Sequence, residues 1–65
     1  MSDLETVKAE IKKLSSQAVQ AKMDLHDLAE DLPINWKQIP LVAQRAFDTY
    51  RELENKRGVL KAAGA

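Results

Sequence analysis

The chain lacks cysteine, has only two glycines and two prolines, and carries no excess of either charge among its 65 residues. The absence of cysteine excludes disulfides and thiolate metal sites, which often stabilise small proteins. A formal net charge of zero gives no reason to expect a nucleic-acid or membrane partner. Because so short a chain buries little surface when folded alone, oligomerisation, with or without a metal, is the remaining route to stability.

Targeting and catalytic signals are also missing. The N-terminus has no apolar core of a signal peptide, and no apolar run approaches the ~18 residues that span a bilayer. We therefore expect one domain over residues 1–65, located in the cytoplasm. No nucleophile–base pair, glycine-rich phosphate loop or pair of catalytic carboxylates can be assembled from the sequence, so we expect no enzyme activity.

An uninterrupted apolar repeat occupies the first half of the chain. Its members alternate spacings of three and four and fill every a and d position of a heptad. They are Leu4, Val7, Ile11, Leu14, Ala18, Ala21, Leu25, Leu28 and Leu32. The repeat predicts one helix from about residue 3 to 32, with Ser2 or Asp3 as its N-cap. Since an apolar seam is unstable without a partner, this helix must pack on others.

A second helix is predicted from about residue 40 to 62. Pro33 ends the first helix, and Pro40 fits the first turn of the second. The apolar stripe of this helix is broader and less regular, and Thr49, Lys56 and Arg57 interrupt it. Its members are Ile39, Val42, Ala43, Ala46, Phe47, Tyr50, Leu53 and Leu60. The connection is only a few residues long, which forces the two helices to be antiparallel.

The predicted fold class is all-α, a two-helix antiparallel hairpin that dimerises into a four-helix bundle. Two helices alone cannot cover both the heptad seam and the broad stripe, so a second hairpin is expected. Because Ala18 and Ala21 are small, a partner helix can pack closely against them. Alternatively, they leave room for a large side chain such as Phe47 or Tyr50. The predicted oligomer interface is Leu14, Ala18, Ala21, Phe47 and Tyr50. Trp36, in the connection, either covers one end of the bundle or anchors a partner.

Possible chemistry is confined to residues 22–33, which hold the only histidine. Met23 precedes His26 by three residues and Glu30 follows it by four, so all three lie on one helix face, outside the seam. Helical bundles present transition-metal ligands in this way. His26 and Glu30 are the candidate ligands, with weaker candidates in Met23 and Asp27. The alternative is an exposed histidine with no ligand role. Without a second histidine, a tight site needs ligands from another subunit, the amino terminus or water.

The motif at residues 22–33, followed by Val42-Ala43-Gln44 and Tyr50, resembles the Rop-like family of small two-helix proteins. Members are encoded in nitrogen-fixation gene clusters, close to genes for nitrogenase cofactor assembly. The likeness extends over roughly residues 4 to 61. It implies a dimer of two-helix hairpins and a role for His26 in binding a divalent metal such as nickel, iron or zinc.

The leading hypothesis is a non-enzymatic accessory protein of nitrogen fixation. It would act as a homo-oligomer that binds nitrogenase or nitrogenase cofactor-assembly proteins. One alternative is a metal carrier or sensor. Another is an RNA-binding hairpin dimer, by analogy with Rop, although zero net charge and the scattered positions of Arg45, Arg51 and Arg57 argue against it.

Overall fold

A computed structural model describes residues 3–64 of the chain. Helix α1 spans Asp3–Asp31, a short 3₁₀ turn spans Trp36–Gln38, and helix α2 spans Ile39–Ala62. Both helices agree with the prediction to within one residue at each end. The predicted N-cap at Ser2 lies outside the described residues. At 1.5 Å per residue α1 is roughly 43 Å long, which accounts for most of the 49 Å length of the molecule.

The two helices lie antiparallel, as predicted. Glu10 near the start of α1 meets Lys56 near the end of α2, where the Oε1–Nζ distance is 3.3 Å. At the other end, Ala21 and Asp24 of α1 line the same hollow as Arg45 of α2. These contacts confirm the all-α hairpin. Among residues 3–64, neither helix is long and apolar enough to cross a membrane.

The connection is a compact succession of turns. The Ile34 amide donates to the Asp31 carbonyl at 2.9 Å, and the Gln38 amide donates to the Asn35 carbonyl at 2.9 Å. Asn35 immediately precedes the 3₁₀ turn, but its side chain makes no capping hydrogen bond. Its φ is 63°, in the left-handed region, which asparagine adopts more readily than most residues.

The core of the hairpin is small. Among the described residues, the buried ones are Ala18, Ala21, Ala46 and Leu53, so the core contains three small side chains and one large one. The heptad positions of α1 that lie away from Ala18 and Ala21 along the helix, such as Leu4, Val7 and Leu14, are only half-buried. Because buried apolar area is the main stabilising contribution to folding, the single hairpin leaves much of its seam available for further packing.

The inner face of α2 differs from the predicted stripe. Thr49 and Lys56, taken as interruptions, are half-buried on that face. Each is accommodated because its polar atom has a partner: Thr49 Oγ1 donates to the Arg45 carbonyl at 2.8 Å, and Lys56 Nζ reaches Glu10. The inner positions therefore follow a regular spacing of four and three. They are Val42, Ala46, Thr49, Leu53, Lys56 and Leu60.

Candidate functional site

The predicted metal-binding residues lie on the outer face of α1. Met23, His26, Asp27 and Glu30 are all exposed, as their positions beside the apolar seam require. His26 Nδ1 is 3.5 Å from Asp27 Oδ1, so the closest acidic neighbour of the imidazole is Asp27 and not Glu30. Both side chains keep more than half of their accessible surface, which leaves this contact weak in water.

The metal-ligating groups of residues 3–64 do not form a closed site. Within residues 3–64, no cluster of three or more histidine, cysteine, aspartate or glutamate side chains could hold a metal ion. A transition-metal site in a helical bundle takes several ligands from facing helices. Of the histidine and carboxylate groups in the described part of the chain, His26 and one neighbouring carboxylate are therefore the most that a single site could use.

The predicted interface residues divide into two groups. Ala18 and Ala21 are packed inside the single hairpin, where Ala18 keeps only 2% of its accessible surface. Phe47 and Tyr50 lie outside it, and Phe47 is 60% exposed. Within one chain, the space beside the two alanines is therefore not filled by Phe47 or Tyr50. These two aromatic side chains, with the half-buried Leu14, keep surface that a second chain could cover.

Phe47 and Tyr50 border a shallow hollow next to the buried Ala46. Arg51 and Glu54 complete its lining, and the Arg51 guanidinium lies over the Phe47 ring at 5.4 Å from the centroid. An arginine over an aromatic face is a stabilising arrangement that holds both side chains in place. The hollow therefore combines a small apolar floor with aromatic walls, a shape that can accept a side chain from another helix.

The opposite flank of the helix pair is lined mostly by residues with polar side chains. The hollow there is lined by residues of both helices, among them Gln20, Asp24, Arg45 and Asp48. Gln20 Nε2 donates to Asp24 Oδ1 at 2.9 Å, and Gln44 Nε2 donates to Asp48 Oδ1 at 2.8 Å. These hydrogen bonds satisfy polar groups along this flank, whereas the flank at Phe47 and Tyr50 exposes two aromatic side chains that a partner helix could cover.

The arginines of α2 do not form a single basic surface. Arg45 lines the polar hollow, whereas Arg51 pairs with Asp48 at 3.2 Å and lies over Phe47. Arg57 is exposed one to two turns further on. A groove for RNA needs basic side chains that follow a phosphate backbone, and this dispersed arrangement gives the RNA-binding alternative no support.

Exposed apolar side chains at the turn end of the hairpin were not predicted as a surface. Trp36 was expected to cover one end of the bundle or to anchor a partner, and in the single chain it is 58% exposed. Ile34 and Leu41, on either side of it in sequence, are also exposed. The signal available in the sequence was the density of apolar residues between the two prolines and just beyond them.

Comparison with known proteins places the chain among small bacterial relatives. It is similar to a UPF0437 protein of Azorhizobium caulinodans, with 61% identity over 94% of this chain and 88% of the relative. It is also similar to a UPF0437 protein of Trichormus variabilis, with 46% identity over 91% of this chain and 69% of the relative. A third relative, from Frankia alni, is named as a UPF0437 protein in the nifX–nifW intergenic region and is 47% identical over 78% of this chain and 62% of its own.

A solved structure and a family description agree with the fold. The chain is similar to a protein whose NMR structure was solved as target McR1 of the Northeast Structural Genomics Consortium. The TM-score is 0.84 and the identity 47%, over 92% of this chain and 84% of the other. The sequence model of the Rop-like family matches residues 2–65, so the chain belongs to the Rop-like family.

Proposed function

We propose that the protein is a non-enzymatic accessory factor of nitrogen fixation that acts in the cytoplasm as a homo-oligomer. The observation that carries the proposal is the name of the Frankia alni relative, which locates that protein between nifX and nifW. The motif at residues 22–33 supports the same context, because it resembles proteins encoded in nitrogen-fixation gene clusters.

The test of this role is recovery of partners from cells. Tagged protein is purified from one strain grown with and without fixed nitrogen, and bound proteins are quantified by mass spectrometry. We expect enrichment of nitrogenase or nitrogenase cofactor-assembly proteins only in nitrogen-fixing cells. Recovery of the tagged chain and its own untagged copy alone, under both conditions, would contradict the accessory role.

Self-association is the second part of the proposal. It is supported by the small core, by the half-buried outer positions of the α1 seam, and by the hollow at Ala46 flanked by Phe47 and Tyr50. A second hairpin that inserts side chains into this hollow would cover apolar area on both chains at once, since a twofold interface uses the same patch twice.

Light scattering and sedimentation across a range of protein concentrations measure this association. Phe47→Ser combined with Tyr50→Ser should lower the dimer affinity at least about tenfold, because buried aromatic side chains dominate interface energetics. Val59→Ser is the matched control, since Val59 is an exposed apolar residue on the opposite side of α2 from Tyr50. A folded wild-type monomer at all concentrations would contradict self-association.

A metal carrier or sensor is the second candidate function, and the exposed His26–Asp27 pair supports it. Because one chain offers too few ligands, the metal would be held between chains, with His26 from each. Calorimetry with Ni²⁺, Fe²⁺ and Zn²⁺ should give one ion per two chains, with binding abolished by His26→Ala and retained by the control Asp24→Asn. An affinity weaker than roughly micromolar, or one that His26→Ala leaves unchanged, would contradict it.

A further inference from the structure

The turn end of the hairpin carries a dense group of exposed apolar side chains. Five of them fall within ten residues, and Ile34 is the most exposed at 66%. They are Leu32, Ile34, Trp36, Ile39 and Leu41, and we call this group the turn patch. Backbone hydrogen bonds fold residues 31–38 into successive turns between the two helices, so all five residues lie in or next to this connection. A concentrated apolar surface on so small a protein is characteristic of an interaction site.

Acidic side chains border the turn patch. Glu30 and Asp31 directly precede the turn patch in sequence, and Lys37 is the one basic residue between positions 30 and 41. Lys37 lies against the Trp36 ring, with Nζ 5.8 Å from the centroid. Within residues 3–64, neither Glu30 nor Asp31 takes part in an ion pair. The border is therefore acidic, and two of its carboxylates are available to an external cation.

The placement of these acids does not serve the helix. Glu30 and Asp31 lie in the last turn of α1, which contains no basic residue. Negative charge at a helix C-terminus is unfavourable because it opposes the helix dipole. The first turn of α2, where acidic residues would be stabilising, contains none. The acidic border thus lies where it costs helix stability, which indicates a use outside the fold.

We propose that the turn patch docks a basic amphipathic helix of another protein. The apolar face of that helix would cover Trp36 and its neighbours, and lysine or arginine side chains beside that face would pair with Glu30 and Asp31. This is the arrangement by which apolar grooves bind helical segments, with charge providing selectivity. The turn patch is separate from the aromatic hollow and from His26, so the inference goes beyond the proposed function.

Other occupants fit the chemistry less well. A membrane surface is anionic and would repel the acidic border, as would a nucleic acid. A second copy of the chain offers lysines at its open end, but among the described residues of that end Val59 is the only large hydrophobic residue that is exposed. A second copy therefore matches the charge of the border without offering the apolar area that the turn patch needs.

The single tryptophan of the chain makes the test direct, because Trp36 lies within the turn patch. The probe is a synthetic helix of about five turns with leucine on one face and lysine on the other. We expect it to shift Trp36 emission to shorter wavelength and to protect Trp36 from acrylamide, with affinity that falls as salt screens the charges. The matched peptide with glutamate at each lysine position should bind at least about tenfold more weakly.

Variants locate the binding surface. Ile34→Ser combined with Leu41→Ser should weaken binding of the lysine peptide at least about tenfold. The control Val19→Ser with Val59→Ser changes two exposed valines elsewhere and should leave it unchanged. Glu30→Gln with Asp31→Asn should weaken binding at low salt and flatten its salt dependence, whereas Glu52→Gln with Glu54→Gln should not. Circular dichroism confirms that each variant is folded.

Four outcomes would overturn the proposal. The first is equal binding of the lysine and glutamate peptides, and the second is the absence of any change in Trp36 emission. The third is a comparable blue shift produced by phosphatidylserine vesicles, which would assign the turn patch to membranes. The fourth is a blue shift with rising concentration of the protein alone, which would assign it to a second copy. None of these results depends on recovery of nitrogen-fixation partners, so the two proposals fail separately.

Discussion

The middle of the hairpin and its turn end use similar apolar residues in opposite ways. In the middle, small alanines at positions 18, 21 and 46 bring the helices close together, and Leu53 is almost fully covered. At the turn end, larger residues such as Ile34 and Trp36 remain exposed. Apolar character alone therefore does not determine burial, since much of any protein surface is apolar. The side chains that remain exposed identify where the molecule can meet other molecules.

Leu53→Ala should break the packed region and give the largest loss of stability. Leu53 is 4% exposed and, within residues 3–64, is the only large side chain that is buried. Truncation of a buried leucine costs about 2–5 kcal/mol, against a total of roughly 3–10 kcal/mol for a chain of this length. We expect the variant to be largely unfolded by circular dichroism at room temperature.

The matched control for this prediction is Leu41→Ala at the turn end. Leu41 is 51% exposed, so the same truncation there should cost less than about 1 kcal/mol. Thermal melts of both variants, made at several protein concentrations, separate the loss of core packing from any loss of self-association. Equal destabilisation by the two variants would show that the turn end is packed as tightly as the middle.

The heptad of α1 was predictable because its period alone selects one face. Leu14, Ala18 and Ala21 are less exposed than most of their neighbours, as that pattern requires, whereas Leu25 and Leu32, the heptad members nearest the turn, are 37% and 41% exposed. The inner face of α2 could not be predicted in the same way. Thr49 and Lys56 look polar in sequence, yet each lies on the inner face with its polar atom satisfied by Arg45 or Glu10. The hydropathy of a residue does not show whether the polar end of its side chain will have a hydrogen-bond or ion-pair partner in the fold.

The candidate metal site shows a different limit. The exposed position of His26 and Glu30 followed from the heptad, because residues beside the seam face outward. Whether they form a site depends on ligands that one chain does not supply, and the sequence does not specify how a second chain approaches. Phe47 illustrates the same point, since its aromatic ring predicts burial and its surroundings in one hairpin leave it exposed.

Asn35→Val tests the turn end with a moderate expected effect. Asn35 has φ of 63°, and a β-branched residue is strongly disfavoured in this left-handed conformation. We expect a loss of about 1–2 kcal/mol in the free energy of unfolding. Asn35→Gly is the control and should be neutral or slightly stabilising, because glycine adopts this conformation without steric cost. If valine and glycine gave the same stability in chemical denaturation, the turn would not hold its left-handed geometry in solution.

The smallest expected effect on stability comes from a surface ion pair. The two regions differ here, because an ion pair joins the helices only in the open half of the described chain. The Glu10–Lys56 pair joins the helices in the open half of the hairpin, with both side chains partly exposed. The acidic residues of the turn end have no such cross-helix ion pair among residues 3–64. A double-mutant cycle with Glu10→Gln and Lys56→Met should give a coupling of about 0.2–1 kcal/mol that declines as salt is added.

The Asp48–Arg51 pair provides the comparison for that cycle, because it lies within one helix at 3.2 Å. Its coupling should be equal or smaller, since a pair inside a helix does not hold two elements together. Neutralising Glu30 and Asp31 should instead leave stability unchanged or raise it slightly, because these carboxylates oppose the α1 dipole. A marked loss of stability in that last variant would show that the acidic border serves the fold, and it would remove one reason for assigning it to a partner.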